Sequence, residues 1–383
     1  TKNWRFYQKS SDDLSELMKD AYPVLVEKQQ FIKDTIQTEE VKFFETLEKG
    51  IKILDQAIDE LDGDTIPGDV VFKLHDTFGF PFDLTADIAR EKNLNIDSKG
   101  FAKCMKQQKE SSKAGSNFTS NLPTPSDVEA TSFSGYDGLV SEANIISLWI
   151  EQDSVNQAEE SQEVYFALDS TPFYAESGGQ VGDSGKFKSS NCSGIVLDCK
   201  KQGKVFLHKA IIKNGSLKVG NKINVSVSSS KRHATAIHHS ATHLLHSALK
   251  EVLGDHVQQK GSQVDSEKLR FDFAHSKPVS SEELSKIEAL VNDQVLHNSK
   301  VDTNEMDLQE AIDSGAEALF GEKYDSKVRV LAMGKDNFSV ELCGGTHVNR
   351  TGDIGSLVIT SQSSVASGIR RIEAIAGHQA AKH

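Results

Sequence analysis

His239-Ser-Ala-Thr-His243 and, about a hundred residues on, Cys343-Gly-Gly-Thr-His347 are the two stretches around which the rest of this chain can be read. From Ala236 to Leu253, the apolar residues Ile237, Ala241, Leu244, Leu245, Ala248, Leu249, Val252 and Leu253 recur at mostly helical spacing, which predicts an amphipathic helix. Residues four apart share a helix face, so the imidazoles of His239 and His243 aim at a common point. Gly344 and Gly345 favour a tight turn that returns the Cys343 sulfur and the His347 ring toward each other. Imidazole nitrogens and a thiolate are the donors a tetrahedral zinc ion takes, at about 2.0 to 2.3 Å. A His pair four apart arises readily among 13 histidines, and a lone Cys is commonly a small buried hydrophobe. Two independently spaced donor pairs together favour one zinc site. His246 lies on the same face one turn on and is an alternative ligand, His238 points about 100° away, and His233 is expected before the helix, in solvent.

With 383 residues, 37% hydrophobic and 26% charged, the chain can bury two or three cores. No apolar run approaches membrane-spanning length, and the polar N-terminus resembles neither a signal nor a transit peptide. Because it begins at Thr1 without a methionine, it is expected to be part of a longer protein. Four scattered cysteines, Cys104, Cys192, Cys199 and Cys343, point to a reducing cytoplasm and not to a disulfide framework. A net charge of -13 argues against a generic nucleic-acid coat and gives no reason to expect DNA as a partner. An RNA partner would meet local basic patches only.

The expected architecture is α+β and multidomain. A helical segment (1–115) leads into a β-rich, barrel-like subdomain (116–230), and an α+β core (231–383) carries the zinc. Helices are predicted over Glu39–Leu61, Val70–Pro81 and Asp83–Glu91. A further helix would carry Lys103, Lys106, Lys109 and Lys113, either as a phosphate-facing stripe or as a solvated face. Ser111–Ser126 reads as the linker. Period-two strands follow at Leu139–Ile150, Val164–Leu168, Gly194–Leu197, Lys204–Lys209 and Lys222–Val227, with a turn at Asn214-Gly215. Between them, Thr171-Pro-Phe-Tyr-Ala-Glu-Ser-Gly-Gly-Gln-Val-Gly-Asp183 lacks the Lys of a P-loop and the spacing of a dinucleotide fingerprint. Its glycines serve either a close approach to phosphate or ribose or a structural turn. The core should hold a strand at Lys268–Phe273, helices at Ser281–Leu296 and Leu308–Phe320, and one sheet from Val328–Met333, Phe338–Leu342, Ile354–Thr360 and Ile369–Ile375.

Several stretches in order resemble the alanyl-tRNA synthetase family. They are His239-Ser-Ala-Thr-His-Leu-Leu-His246, Cys343-Gly-Gly-Thr-His-Val348, Pro172–Asp183, Val257-Gln-Gln-Lys-Gly-Ser262, Leu269-Arg-Phe-Asp-Phe273 and Arg370-Arg-Ile-Glu373, with Phe43–Gly50 and Asp76–Thr85 at the front. The resemblance implies the end of a tRNA-recognition region followed by an editing domain, with the ATP- and alanine-binding aminoacylation domain absent from this span. It implies one zinc on His239, His243, Cys343 and His347. The implied reaction is hydrolysis of serine or glycine from the acceptor end of alanine tRNA. Buried groups that pair with a serine hydroxyl would be left unpaired by alanine, and this gives the site its selectivity. Thr242 and Gln259 are the candidates beside Cys343, and nothing in the sequence accounts for glycine. Gly178, Gly179, Lys260, Arg370 and Arg371 are candidates to meet the RNA. A freestanding trans-editing deacylase, and a tRNA-binding module whose zinc is purely structural, are the alternatives.

Overall fold

The computed structural model describes residues 6–115, 122–318, 324–366 and 368–383. Two compact units, Thr1–Ser120 and Asn121–His383, divide the chain. Among the described residues no helix is long and apolar enough to cross a membrane.

The first unit is helical: α1 (Phe6–Met18), α2 (Gln29–Asp59), α3 (Gly68–Phe78), α4 (Phe82–Glu91) and α5 (Ser98–Gly115). Helix α2 starts ten residues before the expected Glu39, because no Gly or Pro interrupts the chain from Gln29. Leu54, Ile66, Val71, Leu74, Phe80 and Ala89 form the small core. Helix α5 continues through Ser111 to Gly115, where a linker was expected, and residues 116–121 of that linker lie outside the described residues. Lys103, Lys106 and Lys109 are exposed on α5, while the side chain of Lys113 lies outside the description.

In the second unit, six antiparallel strands close a barrel: β1 (Val140–Ile150), β2 (Glu163–Leu168), β3 (Gly185–Lys188), β4 (Cys192–Gln202), β5 (Val205–Gly215) and β6 (Lys222–Val227). Their order around the barrel is β1-β2-β5-β4-β3-β6, with β6 pairing back onto β1. Alternation sends Ile223, Val225 and Val227 of β6 inward, where they join Phe166, Phe173 and Phe187. Strands β4 and β5 form a hairpin much longer than the predicted segments, and Asn214-Gly215 ends β5 instead of turning. Strand β3 was not foreseen.

The glycine-rich loop between β2 and β3 leaves the barrel and pairs with the next sheet: Val181 N donates to Val264 O at 3.0 Å and Val264 N to Gly179 O at 2.8 Å. A Cβ at Gly179 would sit 2.7 Å from Ser262 O, and its φ is +83°, so glycine is required for this contact. Asp183, at the end of the loop, accepts from Arg232 Nε at 2.9 Å. The same guanidinium donates to Gly135 O at 2.9 Å and Pro172 O at 2.8 Å. This buried guanidinium, bonded through all three of its nitrogens, ties the loop to the helix that follows.

That helix, α6 (Ser229–Leu253), starts earlier than expected and includes His233, which is exposed. It is not amphipathic in the core, since every residue from Thr235 to His246 is buried. The remaining strands are β7 (Gln259–Val264), β8 (Leu269–Ala274), β9 (Asp302–Asp307), β10 (Lys327–Met333), β11 (Ser339–Leu342), β12 (Leu357–Ala366) and β13 (Ile369–Ala376). They form two sheets where one was expected, ordered β7-β8-β13-β12 and β9-β10-β11. Helix α7 (Ser281–Leu296) opens with a capping box, Glu283 N donating to Ser280 Oγ at 3.2 Å and Ser280 N to Glu283 Oε2 at 2.7 Å. Helix α8 is short, Leu308–Asp313; of the predicted span to Phe320, residues 319–320 lie outside the description.

Candidate metal centre

Strand β11 ends at Leu342 and delivers Cys343 into a turn over the buried face of α6. The turn closes tightly: Gly345 N donates to Cys343 Sγ at 3.4 Å, and a Cβ at Gly345 would lie 2.1 Å from the His239 ring. Arg329 Nη1 donates to the carbonyls of Cys343 at 3.0 Å and Gly345 at 2.9 Å, which fixes the loop from outside.

His239, His243, Cys343 and His347 offer donor atoms that all lie within 4.8 Å of one another. Cys343 Sγ is 3.5 Å from His239 Nε2 and 3.3 Å from His347 Nε2. Tetrahedral zinc with bonds of about 2.0 and 2.3 Å would place such N and S atoms about 3.5 Å apart, so the spacing fits that ion. Each imidazole is held by its other nitrogen. His239 Nδ1 bonds Gln180 Oε1 at 2.7 Å, His243 Nδ1 bonds Glu341 Oε2 at 2.7 Å, and His347 Nδ1 bonds Ser240 Oγ at 3.2 Å. These bonds leave the Nε2 atoms directed inward, as ligating histidines are held. His243 Nε2 is buried and has no hydrogen-bond partner among the described residues, an orphan that a bound cation would satisfy.

The electrostatics agree with a thiolate. Burial pushes the Cys343 thiol up, but the neighbouring His239, His347 and His243 outweigh it and hold the group well below its usual range. Burial also lowers His347, to about 3, against the opposing pull of Cys343. For His243 burial lowers the pKa, yet Glu341 and Cys343 override it and raise the group well above its usual value. Glu341 is buried, which raises it, and His243 and His246 draw it below the ordinary carboxylate range.

His238 has a different use: Nδ1 meets Asp265 O at 2.9 Å and Nε2 accepts from Ala376 N at 3.1 Å. It is a structural histidine. His246 sits one turn beyond His243, with Nδ1 3.1 Å from Glu341 Oε1, and faces Glu317 and Glu341 instead of the four-donor centre.

Three members of the centre, His239, His243 and Cys343, line a cleft of about 430 Å³ together with Thr242, Gln259 and Gly178 among others. Thr242 Oγ1 donates to His238 O at 2.8 Å, which leaves its oxygen as an acceptor. Gly179 is committed to β7, and Lys260 is exposed but absent from the described lining. Arg371 forks onto Asp272 at 2.6 and 2.7 Å, Arg370 donates to Gln362 Oε1 at 3.3 Å, and neither lines the cleft. Among the described residues the lysines and arginines that do are Lys201, Lys327 and Arg329.

Sequence reasoning missed Gln180, Glu341, Ser240 and Arg329. Gln180 is fully buried, accepts from Thr346 N at 2.9 Å and donates to Thr346 Oγ1 at 2.9 Å, besides its bond to His239. The one available signal for Glu341 was an acid inside the short strand Ser-Val-Glu-Leu, two residues before Cys343 and therefore on the same strand face.

Residues 2–231 match the family of class II (A) tRNA synthetases, and residues 328–373 match the threonyl and alanyl tRNA synthetase second additional domain. The chain is 50% identical over 373 residues, 97% of its length, to an alanine–tRNA ligase of Pseudomonas fluorescens. It is 50% identical over 368 residues to that of Saccharophagus degradans and 48% over 373 residues to that of Shewanella amazonensis. It spans only 42% of the length of each of these relatives. With both the synthetase and the additional-domain models matched in order, and half of all aligned residues shared with alanine–tRNA ligases, this chain belongs to the alanyl-tRNA synthetase family.

Proposed function

We propose that this chain hydrolyses the ester joining serine or glycine to the terminal adenosine of mischarged alanine tRNA, with one zinc ion held by His239, His243, Cys343 and His347. The observation that carries the reading is the convergence of three imidazoles and the Cys343 sulfur, their donor atoms within 4.8 Å of one another, with His239, His243 and Cys343 lining a cleft. When bound, zinc supplies a fixed positive charge there, able to polarise an ester carbonyl or to anchor the acceptor end.

The protein's own groups do the rest. Gln180, Ser240 and Glu341 orient the rings, and Arg329 holds the turn that presents Cys343. Thr242, its proton committed to His238 O, presents an acceptor to a serine hydroxyl. Gln259 on the same cleft wall supplies an amide for that hydroxyl or for the attacking water. An alanyl ester leaves such groups unpaired, at a cost of about 1–3 kcal/mol, which disfavours cleavage of the correct product.

In this reading residues 1–115 serve tRNA recognition, 116–230 supply the loop that completes the site, and 231–383 carry the chemistry, in the cytoplasm. Joining alanine to tRNA with ATP is proposed for the longer protein only. The second reading, a tRNA-binding module with a structural zinc, is favoured by the donor count, because four protein ligands close a tetrahedral shell. Incubation with Ser-tRNA and Ala-tRNA of the alanine type separates the two. Release of serine but not alanine is expected, and binding without release selects the module.

A further inference from the structure

Tyr136 stands at the edge of the cleft, 48% exposed. Its hydroxyl donates to Gly344 O at 2.5 Å, beside Cys343, and the Arg329 guanidinium lies 4.3 Å from its ring centroid. A ring tied at its tip and backed by a cation is a rigid platform, and its exposed surface remains open to a planar ligand. The wall continues from it. The Phe133 ring is 4.9 Å from Tyr136, Phe206 is 5.9 Å from Phe133, and Lys201 Nζ is 5.9 Å over Phe206. Lys201 and Lys204 are exposed about the tip of the β4–β5 hairpin. A line of rings thus runs from the metal centre to a basic tip, in a chain whose net charge is -13.

Aromatic platforms in series with cations are how proteins hold unpaired nucleic acid, the rings stacking bases and the cations meeting phosphates. We propose that this line binds the single-stranded 3′ end of RNA, with the terminal base stacked on Tyr136 and the preceding phosphates at Lys201 and Lys204. Stacking there sets the terminal ribose beside Cys343, where an ester must lie to be cut. The inference rests on the deacylase reading for its substrate but is tested separately.

The probe is a short single-stranded RNA ending in 2-aminopurine, whose emission is quenched on stacking, added to the zinc-loaded chain. Binding with quenching is expected for the native chain and for Tyr136→Phe. Tyr136→Ala should lose the quench and weaken binding about tenfold at unchanged zinc content. Lys201→Glu with Lys204→Glu should weaken binding and flatten its salt dependence while keeping the quench at saturation. Tyr136→Ala behaving as the native chain overturns the proposal, as does an equal loss in Tyr136→Phe, which would assign the effect to the hydroxyl tie. Quenching without release of serine removes the deacylase reading and leaves this one standing. Release of serine with no effect of Tyr136→Ala does the reverse.

Discussion

His208 in the barrel and His243 in the core are both buried histidines, and they differ in one nitrogen. His208 has both satisfied from within, Nε2 by Thr171 Oγ1 at 2.8 Å and Nδ1 by Phe166 O at 3.1 Å. His243 spends Nδ1 on Glu341 and leaves Nε2 buried without a hydrogen-bond partner among the described residues. The barrel histidine is a packing element that happens to be polar. The core histidine directs its second nitrogen into the converging donor set, where the proposed zinc would take it. His238 shows that neighbourhood does not decide the matter, since it is adjacent to a donor and yet is fully satisfied.

The strongest way to break this contrast is Cys343→Ala, which removes the single thiolate from the converging set. Zinc content measured on the purified chain should fall sharply and serine release should be lost; unchanged values for both would end the assignment. Next comes acid. Burial lowers His208 to about 4, with the bond to Phe166 O acting weakly the other way. The unfolded chain therefore takes up the proton first, and as pH falls from about 6.5 to about 4 the barrel should lose about 3 kcal/mol. The difference between the native chain and His208→Gln isolates that loss. It can be followed through Trp149 in denaturant titrations on a Trp4→Phe background, and equal pH dependence in the two would refute it.

Gln180→Ala sharpens the comparison on the core side. Freeing Nδ1 of His239 should lower zinc affinity about 10- to 100-fold in competition with a chromophoric chelator, without unfolding the chain. A native affinity would mean that the ring is held by packing alone. The smallest effect is expected for His238→Gln, about 1 kcal/mol of stability with zinc affinity unchanged, because both ring nitrogens are spent on Asp265 and Ala376. Loss of zinc there would make His238 a ligand.

Much of this was legible because periodicity and spacing are local. The four donors, the helix that carries two of them and most barrel strands follow from residues within a few positions of one another. What sequence did not reveal depends on partners far away. Gln180 reaches His239 across 59 positions and Thr346 across 166, from a loop whose glycines invited a reading about phosphates. Strand β9, Asp-Thr-Asn-Glu-Met-Asp, is almost wholly exposed at a sheet edge and carries no apolar alternation, so nothing local marks it. The polar residues of α6 blurred its reading too: a buried face rich in His, Ser and Thr looks like a solvent face until its partners are known.

The bond from Gln180 to His239 has a consequence for how the molecule matures. One amide belonging to the middle of the chain completes a centre built by its end, so a nascent molecule whose barrel has not closed has the donors without their alignment. Any activity that depends on the aligned donors is thereby withheld until both halves of the unit have folded around each other, and damage to either half should silence the other.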